Sequence, residues 1–126
     1  MLSSILPFSI NEAIANDRRV NQAIKLLTAR KTEPSLTIME IAMAVNLSPS
    51  RLRHLFHREL GVSPSQYLKL ARLSEAHRLL QFTFVQVKEA MIAAGFNDPS
   101  HFTRTYKKMF HESPSQTRKI GNRFGR

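Results

Sequence analysis

The chain has 126 residues, 42% of them hydrophobic, enough for one modest domain or two very small units that must share packing to be stable. Nineteen Lys and Arg against nine Asp and Glu leave a formal charge of +10, which favours a polyanionic partner, although charge alone suits an acidic membrane surface as well as nucleic acid. The lack of cysteine excludes a disulfide framework and a cysteine-ligated zinc site, and no apolar run approaches the roughly 20 residues that span a bilayer.

Residues 1–16 carry Leu2, Ile5, Leu6, Phe8, Ile10, Ala13 and Ile14 without a sustained helical stripe. Pro7 and the missing positive leader argue against a signal peptide, so the segment reads as an N-terminal arm or an interdomain linker. From Asp17, a capping residue, the spacing of Val20, Ala23, Ile24 and Leu27 predicts a helix with one buried stripe, ended by Pro34. Thr37 and Glu40 form a Thr-x-x-Glu capping-box pattern that predicts a short helix to about Val45. Ser48-Pro49 opens another, with Ser as N-cap and Pro where its missing N–H costs nothing, and Gly61 closes it. Residues 17–62 are thus a first unit.

Pro64 to about Gln81 reads as one helix roughly 27 Å long within a linker spanning 63–82. Leu68, Ala71, Ala76, Leu79 and Leu80 are its packing residues, with Arg72, Glu75 and Arg78 outward. A second unit, 83–120, starts near Phe84 with a helix carrying Val87, Ala90, Met91 and Ala94. Gly95 after it is a left-handed helix end, and Asn46 stands at the matching place in the first unit. Asp98-Pro99 and Ser113-Pro114 begin two more helices, and 121–126 is read as a C-terminal tail. There is little room for strands, and the fold class is all-α.

Ser-Pro-Ser-Gln occurs at Ser63 to Gln66 and again fifty positions later at Ser113 to Gln116. Aligning on it puts Leu52 over Phe102, Phe56 over Tyr106 and Leu60 over Phe110, so the chain is a tandem repeat. In each copy a short helix, a left-handed residue and a longer helix make a helix-turn-helix pattern, whose second helix lies in the major groove of DNA. Leu52, Leu55 and Phe56 point inward in the first such helix, leaving Ser50, Arg51, Arg53, His54, His57 and Arg58 outward. In the second, Phe102, Tyr106 and Phe110 point inward, and Ser100, His101, Thr103, Arg104 and Lys107 face out. Phe56, Phe82, Phe84, Phe96, Phe102 and Phe110 are expected in the core rather than as stacking platforms. A stiff connecting helix could hold two readers near the ~34 Å separation of successive major-groove windows, and the unlike outward sets predict an asymmetric, non-palindromic site. His54 and His57 lie one turn apart but lack further ligands, so no metal is expected. Nor is there a Gly-rich phosphate loop, a nucleophile elbow or a carboxylate pair, so neither an enzyme nor a cofactor is expected.

Ile41-Ala42, Leu47-Ser48-Pro49-Ser50, Leu52, Phe56, Gly61, Tyr67, Arg72-Leu73, Ala76 and Leu79-Leu80, followed by Gly95-Phe96, Asp98, Ser100, Phe102, Arg104, Tyr106-Lys107, Ser113-Pro114 and Arg118, form a long spaced fingerprint. It resembles the DNA-binding domain of the AraC/XylS family of transcription regulators over roughly residues 17–119. The resemblance implies about seven helices, two helix-turn-helix units joined by a long helix, and sequence-specific binding near promoters, most often activating transcription. Carried over by position, the base readers are Ser50, Arg53 and His54, then Ser100, His101, Thr103 and Arg104. The two arginines suit guanine O6 and N7 best, with both prongs. Arg51, Arg58, Lys107, Lys108 and Arg118, with N–H groups at the Pro49 and Pro99 helix starts, are the phosphate candidates.

Three places depart from the family pattern: Ala90-Met91 stands for Ile-Ala, His111-Glu112 stands where a Gly commonly precedes the second Ser-Pro, and Thr117 replaces a common Tyr. The partners implied are double-stranded DNA and, for an activator, RNA polymerase, with no membrane; this segment is expected to be monomeric and a longer parent protein dimeric. The expected location is the cytoplasm, on the bacterial nucleoid. The chain is either a stand-alone regulator or the C-terminal portion of a longer one. The competing class is an architectural module that binds nucleic acid without sequence choice, separable by its specificity ratio.

Overall fold

The computed structural model describes residues 15–124, which form seven helices: α1 (Arg18–Arg30), α2 (Ile38–Ala44), α3 (Pro49–Leu60), α4 (Pro64–Phe82), α5 (Val87–Ala93), α6 (Pro99–Phe110) and α7 (Pro114–Phe124). No strand occurs among the described residues, and the all-α class holds. Of the arm read for 1–16, all but Ala15 and Asn16 lie outside the described residues. Ala15 belongs to the folded body: it is buried, and its N–H donates to Asn21 Oδ1 at 2.6 Å.

Each helix start satisfies N–H groups that have no partner within the helix. Asp17 accepts from the Arg19 and Val20 N–H groups, and hydrogen bonding to Arg19 holds its carboxyl below the usual carboxylate range. Thr37 and Glu40 bond reciprocally, as their spacing predicts. The repeated tetrapeptide proves to be the same device with Gln in place of Glu. Ser63 N–H donates to Gln66 Oε1 at 2.9 Å while Gln66 N–H donates to Ser63 Oγ at 3.1 Å, and Ser113 with Gln116 repeats the pair at 2.6 and 3.1 Å.

The two tight turns close alike. Asn46 (φ 60°) and Gly95 (φ 99°) are left-handed. Around them the Asn46 and Leu47 N–H groups return to the Met43 and Ala42 carbonyls, and those of Gly95 and Phe96 return to Ile92 and Met91. This is the Schellman pattern, in which one left-handed residue lets two late N–H groups satisfy the last carbonyls. Thr37 matches Gln86 and Asn46 matches Gly95 at a spacing of forty-nine, whereas Pro49 matches Pro99 at fifty, so the second turn is longer by one residue.

The first compact unit ends at Ala71 and the second begins at Arg72, so the division falls inside α4. In the first unit Val20, Ala23, Ile24 and Leu27 of α1 pack with Ile41 and Ala42 of α2 and with Leu52, Leu55 and Phe56 of α3. Tyr67, at the start of α4, meets the Phe56 ring edge-on with centroids 5.5 Å apart. Fully burying side chains of this size contributes about 1.5–3 kcal/mol each. In the second unit Phe96, Phe102 and Tyr106 are buried and form a ring ladder that continues to Phe110, with centroids 4.9, 5.6 and 4.6 Å apart. His77 of α4 stacks on Phe110 at 4.3 Å, where burial pushes its imidazole below the ordinary histidine range. Three helices per unit leave a core open on one side, and half of α4 completes each. That is why no single apolar stripe runs along α4: Tyr67, Leu68 and Ala71 serve one core, and Leu73, Ala76 and Leu80 are buried in the other half.

Several expectations are corrected. Phe82 and Phe84 are exposed, at 63% and 70%, because they fall at and beyond the last turn of α4, past the periodicity that would have turned them inward. Phe110 is only half-buried, and Met109 takes the buried place beside it. Arg72 and Glu75 are half-buried rather than fully outward. α7 continues to Phe124, past residue 120 where a tail is expected. Gly121 is buried there, and a Cβ on it would lie 2.6 Å from the Gln81 carbonyl oxygen.

Candidate nucleic-acid interface

α3 and α6 are built to one plan. Each has twelve residues, begins with Pro after an N-cap that accepts N–H bonds, and ends on a left-handed residue, Gly61 (φ 76°) or His111 (φ 61°). Leu52, Leu55, Phe56 and Leu60 anchor α3, and Phe102, Tyr106 and Met109 anchor α6. The face away from these anchors is polar in both helices.

On α3, Ser50, Arg51, Arg53, His54, His57 and Arg58 are all exposed. Ser50, Arg53, His54, His57 and Arg58 gather around one shallow depression with Ser63, so the three base-reading candidates of this unit share a surface. On α6, Ser100, Thr103, Arg104, Lys107 and Lys108 are exposed, while His101 is half-buried. The His101 carbonyl accepts the Thr105 hydroxyl at 2.8 Å, which ties that turn to its own backbone. None of Arg51, Arg53, Arg58, Arg104, Lys107 and Lys108 takes part in an ion pair among the described residues. The ion pairs of Arg19 with Asp17, Arg30 with Glu33 and Glu40, and Arg78 with Glu75 lie on other elements, so the exposed cations of α3 and α6 keep their charge uncompensated among the described residues.

Arg118 stands apart from the other phosphate candidates. It is half-buried, and its Nε donates to the Val85 carbonyl at 2.8 Å, joining α7 to the loop before α5. Around it Lys88, Ser115, Lys119 and Asn122 line a second groove; Ser115 belongs to the repeated Ser-Pro-Ser-Gln, and no local pattern marks the other three. Several of the helix-start N–H groups are already committed. Asp98 takes those of Ser100 and His101 at 3.0 and 3.2 Å, and Ser48 takes that of Arg51 at 3.1 Å. A phosphate at the Pro99 start would therefore displace a carboxylate from its bonds. The exposed side chains of Arg51, Arg58, Lys107 and Lys108 remain available to phosphate oxygens.

The departures at His111 and Thr117 have local answers. His111 holds the left-handed position that Gly61 holds in the first unit, with its N–H donating to the Lys107 carbonyl at 2.9 Å. Thr117 occupies the place of Tyr67, and Tyr106 occupies that of Phe56. The hydroxyl has changed sides: Tyr106 donates to Thr117 Oγ1 at 2.7 Å, and Thr117 in turn bonds Glu112. Burial drives the Tyr106 phenol well above its usual range, so it stays protonated and keeps donating.

The family model described as a helix-turn-helix domain matches residues 41–120, which covers both turns, α3 and α6. The arabinose operon regulatory protein of Escherichia coli is 35% identical over 112 residues, covering 87% of this chain and 38% of that protein. The lactose operon transcription activator of Staphylococcus xylosus is 30% identical over 111 residues, covering 88% of this chain and 39% of that one. The chain therefore spans well under half the length of these relatives. Among solved structures, a probable AraC family transcriptional regulator from Rhodopseudomonas palustris superposes with a TM-score of 0.76 at 32% identity, covering 83% of this chain and 98% of that one.

Proposed function

Because the chain belongs to the AraC/XylS family of transcription regulators, as a DNA-binding domain of that family, we propose that it binds an asymmetric double-stranded site with α3 and α6 in two successive major-groove segments and thereby activates transcription. The observation that carries this reading is the pairing of two twelve-residue helices whose outward faces hold only polar and cationic side chains, with no carboxylate partner on their arginines and lysines among the described residues. In this reading Ser50, Arg53 and His54, with Ser100, His101, Thr103 and Arg104, meet base edges. Arg51, Arg58, Lys107 and Lys108 meet phosphates, and Arg118 both braces α7 and reaches the backbone with its remaining nitrogens. RNA polymerase is the second partner proposed, and the bacterial cytoplasm, on the nucleoid, is the location. No described helix is long and apolar enough to cross a membrane. Neither a cofactor nor a catalytic role forms part of the proposal.

Selection of bound duplexes from a random pool tests it, followed by binding of the selected site and of random duplex by the Arg104→Ala variant. The expected outcome is an asymmetric consensus and a loss of about 1–3 kcal/mol on the selected site, with a much smaller loss on random DNA. Equal losses on both duplexes would assign the chain to non-selective architectural binding instead.

A further inference from the structure

The reading helices can be laid on each other without a gap, since both run twelve residues from an initial proline to a left-handed end. Ser50 then meets Ser100, Arg53 meets Thr103, His54 meets Arg104 and His57 meets Lys107. The two arginines that suit guanine do not coincide: Arg53 is the fifth residue of α3 and Arg104 the sixth of α6. One residue is a step of about 100° around a helix and about 1.5 Å along it.

Burial fixes which way each position faces. The fourth and eighth residues are buried in both helices, Leu52 and Phe56 in one, Phe102 and Tyr106 in the other. The sixth position lies roughly 180° from their mean direction and the fifth roughly 80° from it, given about 100° per residue. The centre of the outward face is therefore held by an imidazole, His54, in α3 and by a guanidinium, Arg104, in α6. Arg53 stands at the flank of its face, and Thr103, the matching flank residue in α6, offers a hydroxyl and a methyl.

We propose that the two helices read base steps out of register: Arg104 takes a guanine from the centre of α6, whereas Arg53 takes one displaced to the side of α3 by on the order of one base-pair step, ~3.4 Å. His54 makes the central contact of the first unit. A guanidinium bonds guanine O6 and N7 together, but the edge of an imidazole presents one nitrogen, so the first unit discriminates less at its centre than the second. The target is then not two copies of one half-site with drifted letters; the strongest letter stands at a different place in each half. This inference rests on the proposed entry of α3 and α6 into major grooves.

The double substitution Arg53→Thr with His54→Arg gives both helices the same Thr-Arg pair at their fifth and sixth positions, using only exposed side chains. Random-duplex selection is run with the full 126-residue chain and with this variant. The expected result is that the preferred guanine of the first half-site moves by one position and that half comes to match the second, whose own letters stay unchanged. Arg53→Ala alone, as a gentler variant, is expected to weaken the preference at one flanking base of the first half by roughly tenfold. An unmoved first half-site in the double variant, or equal changes in both halves, would overturn the register inference while leaving groove reading intact. Failure of the unsubstituted chain to select any consensus would overturn the reading on which it rests.

Discussion

His111 is the residue whose backbone asks for something its side chain does not favour. It adopts φ 61°, a region that crowds the Cβ of any L-residue, whereas its counterpart in the first unit is Gly61 at φ 76°. Its side chain is exposed, so little packing offsets the strain. His111→Gly is expected to raise the unfolding free energy by about 0.5–1 kcal/mol, the part of the left-handed penalty that survives the greater entropy of glycine in the unfolded chain. Chemical denaturation of the two proteins measures it, and a destabilised variant would mean that the imidazole makes a contact that matters. The Thr117 substitution is of another kind. There the pair changed together, so that a ring edge in the first unit became a hydroxyl pair in the second, and a buried hydroxyl kept a partner.

At the scale of elements, starts and stops are written locally and close approaches are not. Every helix start carrying Ser, Thr or Asp in the sequence is capped as the residue type dictates, and Asn46 and Gly95 turn the chain where expected. α7 is the exception. Its last turns follow no strong apolar pattern, and Gly121 looks like the beginning of a tail. In the fold Gly121 is the point at which α7 passes against the end of α4, with a Cβ position 2.6 Å from the Gln81 carbonyl and 2.9 Å from that of Leu80. Both obstacles are backbone, which cannot swing aside as a side chain can. Gly121→Ala is therefore expected to destabilise the second unit by about 1–3 kcal/mol despite alanine's better helix propensity. A thermal melt checks it; unchanged or increased stability would show that the two helices can separate at no cost.

For the whole molecule the governing quantity is unpaired positive charge. Five cations, Arg51, Arg58, Lys107, Lys108 and Arg118, are assigned to phosphates, and each contact releases condensed counterions, so the logarithm of affinity should fall with the logarithm of salt at a slope of about −4.5. Replacing Arg51 and Arg58 together by Ala should flatten that slope by roughly 2 while leaving the selected consensus unchanged. A flattened slope accompanied by altered letters would mean that one of the two reads bases.

The fold class, the spans of α2, α3 and α4 to within a residue or two, the starts of α6 and α7, and the buried faces of α1 and α3 follow from the sequence alone, because capping and periodicity act over one or two turns; α1 stops at Arg30, short of Pro34, and α5 starts at Val87 rather than near Phe84. The fingerprint of spaced residues added the family. Tertiary structure alone decided that α4 is shared between two cores, that Arg118 is bound to Val85 thirty-three positions away, and that Gly121 lies against Gln81. Contacts between residues so far apart in the chain leave no period and no motif. They exist only once separate helices have packed, and the packing is chosen by the sum of both surfaces rather than by either one.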